Sequence, residues 1–307
     1  MTGWLEFLAA ALVSGVVARA VARVAIAKAP PSLMRTNVDG DEVPAVLGCA
    51  VAAGVGAAAV SMAAWIALDH RPPPCPPGDI CIEPLMLVPW EVAWLPLIPV
   101  LGMFAAGTWD DLRGDERPRG FAGHLAAARG GAITGGFVKL VAGGVVSLVT
   151  IAAVAGWEVP AVGDWLLLAA PVALGANLVN LLDRAPGRAL KVFLVAALPL
   201  VVFVPAFRPL AAGSLGAAVA LLPVDLKAKG MLGDAGANPL GAVLGLGLVL
   251  TVAVATREAG AVGGSRSIVT IVVVVLLGAN LASERWSFSR AIEATPWLAR
   301  LDRLGRK

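Results

Sequence analysis

Between residues 4 and 283 the chain is a succession of apolar runs separated by short polar breaks, and that pattern dictates its solvent. Crossing the ~30 Å hydrocarbon core of a bilayer takes about 20 apolar residues in a helix. Runs of that order occupy 4–27, 43–68, 85–109, 132–155, 162–182, 191–207, 209–223, 235–256 and 267–283. The weakest is 209–223, which is short, follows its predecessor after Arg208 alone, and has half of a broken helix as its alternative reading. Of the 307 residues, 58% are hydrophobic and 15% charged, with a mean hydropathy of +0.83. A soluble domain carries about 25% charged residues, so this chain has too little polar surface to cover a globule in water. A β-barrel would show short alternating segments instead of continuous runs. The high Ala, Gly and Val content suits helices whose backbones approach closely. The chain is therefore predicted to be all-α, a polytopic transmembrane helical bundle of about nine to ten spans. Glu6, Arg19 and Arg23 fit a cleaved signal peptide poorly.

Cations set the orientation. One set of loops carries Lys28 and Arg35; Arg113, Arg117, Arg119 and Arg129; Arg184, Arg188 and Lys191; Lys227 and Lys229; and six cations after residue 283. The opposite set carries only Arg71, Arg208, Arg257 and Arg266. The positive-inside rule places the first set in the cytoplasm and the N-terminus outside. The net charge of +3 is too balanced to suggest a nucleic-acid partner. Trp65, Trp90, Trp94, Trp109, Trp157 and Trp165 fall near span ends, as interfacial anchors do. Cys49 reads as a small core residue. Cys75 and Cys81 flank a Pro-rich turn on the outer side, where a disulfide is allowed. Residues 1–283 are read as one transmembrane domain and 284–307 as a cytoplasmic basic tail.

Acidic residues, which played no part in that orientation, gather on its cytoplasmic face. Asp110 and Asp111 end the third run in GTWDDLRGDERPRG, and Asn177, Asn180 and Asp183 end the fifth in GANLVNLLDRAPGRALK. Asp225 and Asp234 bracket the loop VDLKAKGMLGDAGANPLG. Carboxylates at the rim of apolar helices are costly and tend to mark function. Asn177, Asn180 and Asp183, three apart, form a polar stripe that should face the bundle interior. The two adjacent aspartates point in different directions from a helix end, so one can hold a metal while the other acts as a base or supporting contact. Oxygen ligands with cations nearby suit Mg²⁺ bound together with substrate phosphates. Gly233, Gly236 and Gly241 surround Asp234 and Asn238 at a helix start, where backbone N–H groups favour phosphate. Plainer readings exist for each group: Asn177 and Asn180 as bridges between helices, Asp234 as an N-cap, and Arg184, Arg188 and Lys191 as topology signals. His124 reads as a loop residue, and His70 lies on the opposite side.

Taken in order, these segments resemble the polyprenyl-phosphate N-acetylhexosamine-1-phosphate transferase family, which includes phospho-N-acetylmuramoyl-pentapeptide transferase. RTNVDGDEVP (35–44) resembles the first cytoplasmic loop, WDDLRGD (109–115) the aspartate-pair motif, and NLVNLLD (177–183) the Asn/Asp motif. MLGDAGANPLG (231–241) resembles the Gly-Asp-x-Gly motif, and Lys139 is similar to a lysine found early in the fourth span. The resemblance implies Mg²⁺-dependent transfer of a sugar-1-phosphate from a nucleotide sugar to a polyprenyl phosphate, in cell-wall (peptidoglycan-type) polymer synthesis at the plasma membrane. Carried over by position, Asp234 and Asp110 would hold the metal, and Asp111 would orient or deprotonate the lipid phosphate. Asp183 and Asn180 would belong to the nucleotide-sugar site, with Asn177, Gly236 and Asn238 alongside. The chain departs from the family in lacking its histidine-rich loop, having two histidines in all. It also carries DRAPGRALK where a glycine-rich stretch is expected. Arg184, Arg188 and Lys191 would then replace the missing donor contacts. A homodimer is compatible with this reading. The alternative is a non-catalytic descendant that binds polyprenyl phosphate as a scaffold or regulator.

Overall fold

The computed structural model describes residues 2–37, 40–68, 89–113, 129, 131, 135–155, 159, 161–258 and 264–306. The long helices are α1 (Thr2–Ala27), α2 (Leu47–Leu68), α4 (Leu97–Arg113), α5 (Gly135–Ala155), α6 (Val162–Leu182), α7 (Arg188–Phe203), α8 (Arg208–Asp225), α9 (Asp234–Glu258) and α10 (Gly264–Arg285). Short helices α3 (Pro89–Trp94), α11 (Phe288–Ala294) and α12 (Pro296–Arg303) complete the helical set among the described residues. Eight helical segments there are long and apolar enough to cross a membrane. The protein is an all-α bundle of membrane type.

Two expectations about the spans change. The run at 191–207 is carried by α7, whose 16 residues reach only about 24 Å, short of the hydrocarbon core. The turn Pro205–Phe207 then reverses the chain into α8. The run at 209–223 is no broken half-helix: α8 is continuous over Arg208–Asp225, and the membrane-length segment it forms is 61% buried, packed against α1 and α2. Pro205 and the backbone carbonyls of Val201 and Val202, which accept from Arg208, fasten this hairpin at its tip.

Helix α9 is the axis of the bundle, with 78% of its membrane-length segment buried, whereas α10 is peripheral at 11%. Small residues allow the central contacts. A Cβ added to Gly175 of α6 would sit 2.6 Å from the Gly241 carbonyl of α9, so the two backbones touch where neither has a side chain. Across α1 and α8 the Ser14 hydroxyl donates to the Gly213 carbonyl at 2.6 Å. Cys49, expected in the core, is exposed on α2. Cys75, Cys81, His70 and His124 lie outside the described residues.

The two ends of the bundle differ. At one end Arg208 stacks on Trp4, 4.2 Å from the ring centroid, and Arg266 pairs with Asp164 at 3.3 Å. Arg208 and Arg266 belong to the cation-poor set of loops in the sequence. The other end holds the carboxylates and a small antiparallel hairpin of β1 (Met34–Thr36) and β2 (Glu42–Pro44), with Met34 opposite Pro44. An all-helical reading did not anticipate the hairpin. Backbone that leaves the helices must find partners for its polar groups, and here it finds them in the hairpin and the loop before α9. Met231 N–H donates to Pro44 O at 3.0 Å, and Leu47 N–H to Met231 O at 3.1 Å. These bonds bring Arg35 over the end of α4.

Candidate functional site

The aspartate pair at the end of α4 divides as helical geometry requires, with successive side chains about 100° apart. Asp110 faces α5, where the Lys139 ammonium lies 3.6 Å from its Oδ2. The same ammonium donates to Asp234 Oδ2 at the start of α9, so one lysine bridges two carboxylates from separate helices. Asp111 faces the other way. Its Oδ2 accepts from the Ala235 N–H at 3.1 Å, capping α9 from a neighbouring helix, while its carbonyl accepts from Arg35 Nη2. Gly233, in the left-handed region at φ 63°, makes the turn into α9, and a Cβ there would press to 3.0 Å from Asp111 Oδ2.

Beside this cluster opens a cleft of about 750 Å³, within the usual range for a small-molecule site. Its walls are Arg35 and Asn37 from the hairpin region, Asp111, and Asn180, Asp183 and Arg184 from the end of α6. Asp225 and Asp234 from either side of the 226–233 loop, and Ser287, Phe288 and Ser289 after α10, complete them. Asp110 and Lys139 stand behind Asp234 and do not line the cleft. Four carboxylates thus surround the space, with Arg35 and Arg184 as cationic wall residues. The Arg35 guanidinium is engaged with the Ser32, Met34 and Asp111 carbonyls. Arg184 is exposed.

The structure brings Asp110, Asp111, Lys139, Asn180, Asp183, Arg184 and Asp234 to one place. It sets the other expected contacts apart. Asn177 donates to Asn280 Oδ1 of α10 at 2.6 Å, and Asn280 in turn donates to the Leu276 carbonyl at 2.7 Å, an amide bridge between helices away from the cleft. Asn238 is 3% exposed and donates to the Asp234 carbonyl at 2.8 Å. Gly236 packs on Leu232 and Gly48. The α9 start is also already partnered: Ala235 N–H by Asp111, and Gly236 and Ala237 N–H by the Gly233 carbonyl.

Arg188 and Lys191 are committed to the segment after residue 283. Arg188, 4% exposed, donates from Nε and Nη2 to the two Asp302 oxygens at 2.8 Å each and from Nη1 to Ser289 Oγ at 2.7 Å. Arg306 reaches Asp302 at 2.7 Å and donates to the Pro186 carbonyl at 2.9 Å. Lys191 donates to the Asp302 carbonyl at 2.6 Å. Burial alone would raise the Asp302 carboxyl; the Arg188 and Arg306 guanidinium groups outweigh it and hold it below the usual range. The segment expected as a basic tail is therefore folded against the α6–α7 loop, with its first residues forming a cleft wall.

Asp225 was legible only as a loop boundary, yet it is 2% exposed, lines the cleft and accepts from the Gly187 N–H at 3.1 Å. A carboxylate at the end of an apolar helix was the signal available for it. Asp302 gave no such signal, since it sits among tail charges of both signs.

No protein-family model matches the chain, and no curated protein matches it.

The residues fit a phosphate-bound Mg²⁺ by their chemistry. Asp110 and Asp234 supply hard oxygens already gathered around one cation, the Lys139 ammonium. Among the described residues no group of three or more His, Cys, Asp or Glu forms a self-sufficient metal cage. Magnesium held with a nucleotide needs only one or two carboxylates, the phosphates providing further oxygens.

Proposed function

We propose that the protein transfers a sugar-1-phosphate from a nucleotide sugar to a polyprenyl phosphate, with its cleft on the cytoplasmic face of the plasma membrane, in cell-envelope polymer synthesis. The observation that carries this reading is the bridging of Asp110 and Asp234 by Lys139 at the edge of a cleft ringed by carboxylates. An anionic donor entering such a cleft needs accompanying positive charge. Asp234 and Asp110 would hold Mg²⁺, which would neutralise the donor diphosphate. In the reaction an oxygen of the lipid phosphate forms a new bond to the sugar-linked phosphorus, and the bond from that phosphorus to the bridging oxygen breaks. The nucleoside monophosphate leaves with that oxygen. Such transfer is mainly positioning and charge neutralisation. Lys139, behind Asp234, would hold the Asp110 and Asp234 carboxylates in place and balance their charge. Arg184 is the exposed guanidinium at the wall, suited to bidentate phosphate contact. Asp111, held by the α9 start, would orient the acceptor, and Asn180 and Asp183 would face the donor.

The test is nucleoside monophosphate release by purified protein with undecaprenyl phosphate, Mg²⁺ and a panel of nucleotide sugars. Release that requires lipid and metal, stops with EDTA, and falls at least a hundredfold in Lys139→Met and Asp234→Asn supports the reading. One observation favours a non-catalytic lipid-phosphate-binding scaffold instead: Arg188 and Lys191, the expected replacements for donor contacts, are consumed by the C-terminal segment. Polyprenyl-phosphate binding without release across the panel would decide for the scaffold.

A further inference from the structure

Helix α12 has two faces of different kinds. Ala299 is buried against the body of the protein, and Asp302 is held there by Arg188 and Arg306. Trp297 and Leu301, four apart, form a ridge on one side of α12, and Leu304 follows at its C-cap. They are 62%, 55% and 68% exposed. Arg300 and Arg303 stand in the last turn beside that ridge. Trp286, at the end of α10, adds another ring at 68% exposure. From residue 284 onward six cations face three acids.

The position of the ridge is also constrained. Asp302 is bonded to Arg188, the first residue of α7, and Arg306 to the carbonyl of Pro186. Helix α10, which is long and apolar enough to cross the bilayer, ends at Arg285. Pro186 follows closely on α6, which like α10 is long and apolar enough to cross the bilayer and ends at Leu182, so α12 is held at the height where hydrocarbon gives way to headgroups. A helix with Trp and Leu on one side and Arg beside them is built to lie in that plane, its apolar ridge in the acyl boundary and its cations on anionic headgroups.

We propose that α12 is an interfacial anchor, seated through Trp297, Leu301 and Leu304 in the bilayer surface on the cleft side, with Arg300 and Arg303 binding the phosphates of anionic lipids. Because Ser287, Phe288 and Ser289 wall the cleft and Arg188 joins Ser289 to Asp302, the lipid surface then helps hold that wall in place. The inference stands apart from any transferase activity.

The experiment places a nitroxide on Leu301→Cys, and for reference on the exposed Glu293→Cys, in full-length protein whose other cysteines are replaced by Ser. The protein is reconstituted in nanodiscs of phosphatidylcholine with and without phosphatidylglycerol, and folding is checked by gel filtration. The anchor predicts that label 301 is reached by oxygen more than by a water-soluble nickel chelate, while label 293 shows the reverse. It predicts that phosphatidylglycerol deepens label 301, and that Arg300→Gln and Arg303→Gln each weaken the lipid effect about fivefold. Equal, water-like accessibility at 301 and 293 in both lipids would overturn it. So would dipolar broadening between labels at 301, which would put a second copy of the chain on the ridge.

Discussion

Replacing Asp302 with Asn isolates the fastening of the C-terminal helices. Its carboxylate accepts two hydrogen bonds from Arg188 at 2.8 Å and pairs with Arg306 at 2.7 Å, and the Arg188 and Asp302 side chains are 4% and 8% exposed. Removing one partner of a buried pair strands the other charge and costs about 3–5 kcal/mol. Apolar burial adds little, since α11 buries no residue and α12 only Ala299, worth about 1 kcal/mol; the other ties are the hydrogen bonds of Arg188 to Ser289, Lys191 to the Asp302 carbonyl and Arg306 to the Pro186 carbonyl. Asn keeps the shape and one acceptor, so the low end applies, about 3 kcal/mol, or roughly 150-fold in the docking equilibrium. Hydrogen exchange by mass spectrometry, in nanodiscs, reads this directly. In Asp302→Asn the amides of 287–304 should exchange about a hundredfold faster while those of α9 keep their protection. Arg188→Lys, which keeps the charge but loses the fork, should fall between. Unchanged exchange in 287–304, or equal acceleration in α9, would refute the clamp.

Acid should release the same clamp only late. The Asp302 carboxyl is held below its usual value, so its contribution is complete above the unfolded value of about 3.9 and is lost as pH falls through the lower folded value. Spin-label mobility at position 293 should therefore be flat from pH 7 to about pH 5 and rise only under stronger acid. Gly175→Ala forces a Cβ to 2.6 Å from the Gly241 carbonyl and should cost about 1–3 kcal/mol, visible as a lower melting temperature in detergent. Asn177→Ala and Asn180→Ala should part company. The first breaks the bridge to Asn280, about 0.6–1.7 kcal/mol of stability, and leaves ligand binding intact. The second leaves the melting temperature nearly unchanged and, if the proposed transferase reading holds, weakens nucleotide-sugar binding measured by calorimetry.

What the residues announced on their own is the part of the fold that solvent imposes. A bilayer lets the backbone be satisfied only in helices or closed barrels, and runs that are continuous instead of alternating exclude the barrel, so long helices follow from the runs themselves. The gathering of Asp110, Asp111, Asp183 and Asp234 at one end follows from counting spans, because each crossing reverses the side on which the next polar break lies. Only the packed structure decided what each side chain near that rim faces. Steps of three residues turn a helix by about 300°, so a stripe drifts by roughly 60° each time. Asn177 thereby meets Asn280 of α10, while Asn180 and Asp183 reach the cleft. Likewise nothing local separates Arg184 from Arg188. Residue 184 precedes the left-handed turn at Gly187 and stays exposed, whereas 188 follows it, opens α7, and meets an aspartate over one hundred residues away in the chain. Pattern within a segment fixes which end of the bilayer a residue reaches; the partner that arrives there from distant sequence fixes whether it binds ligand or holds the fold.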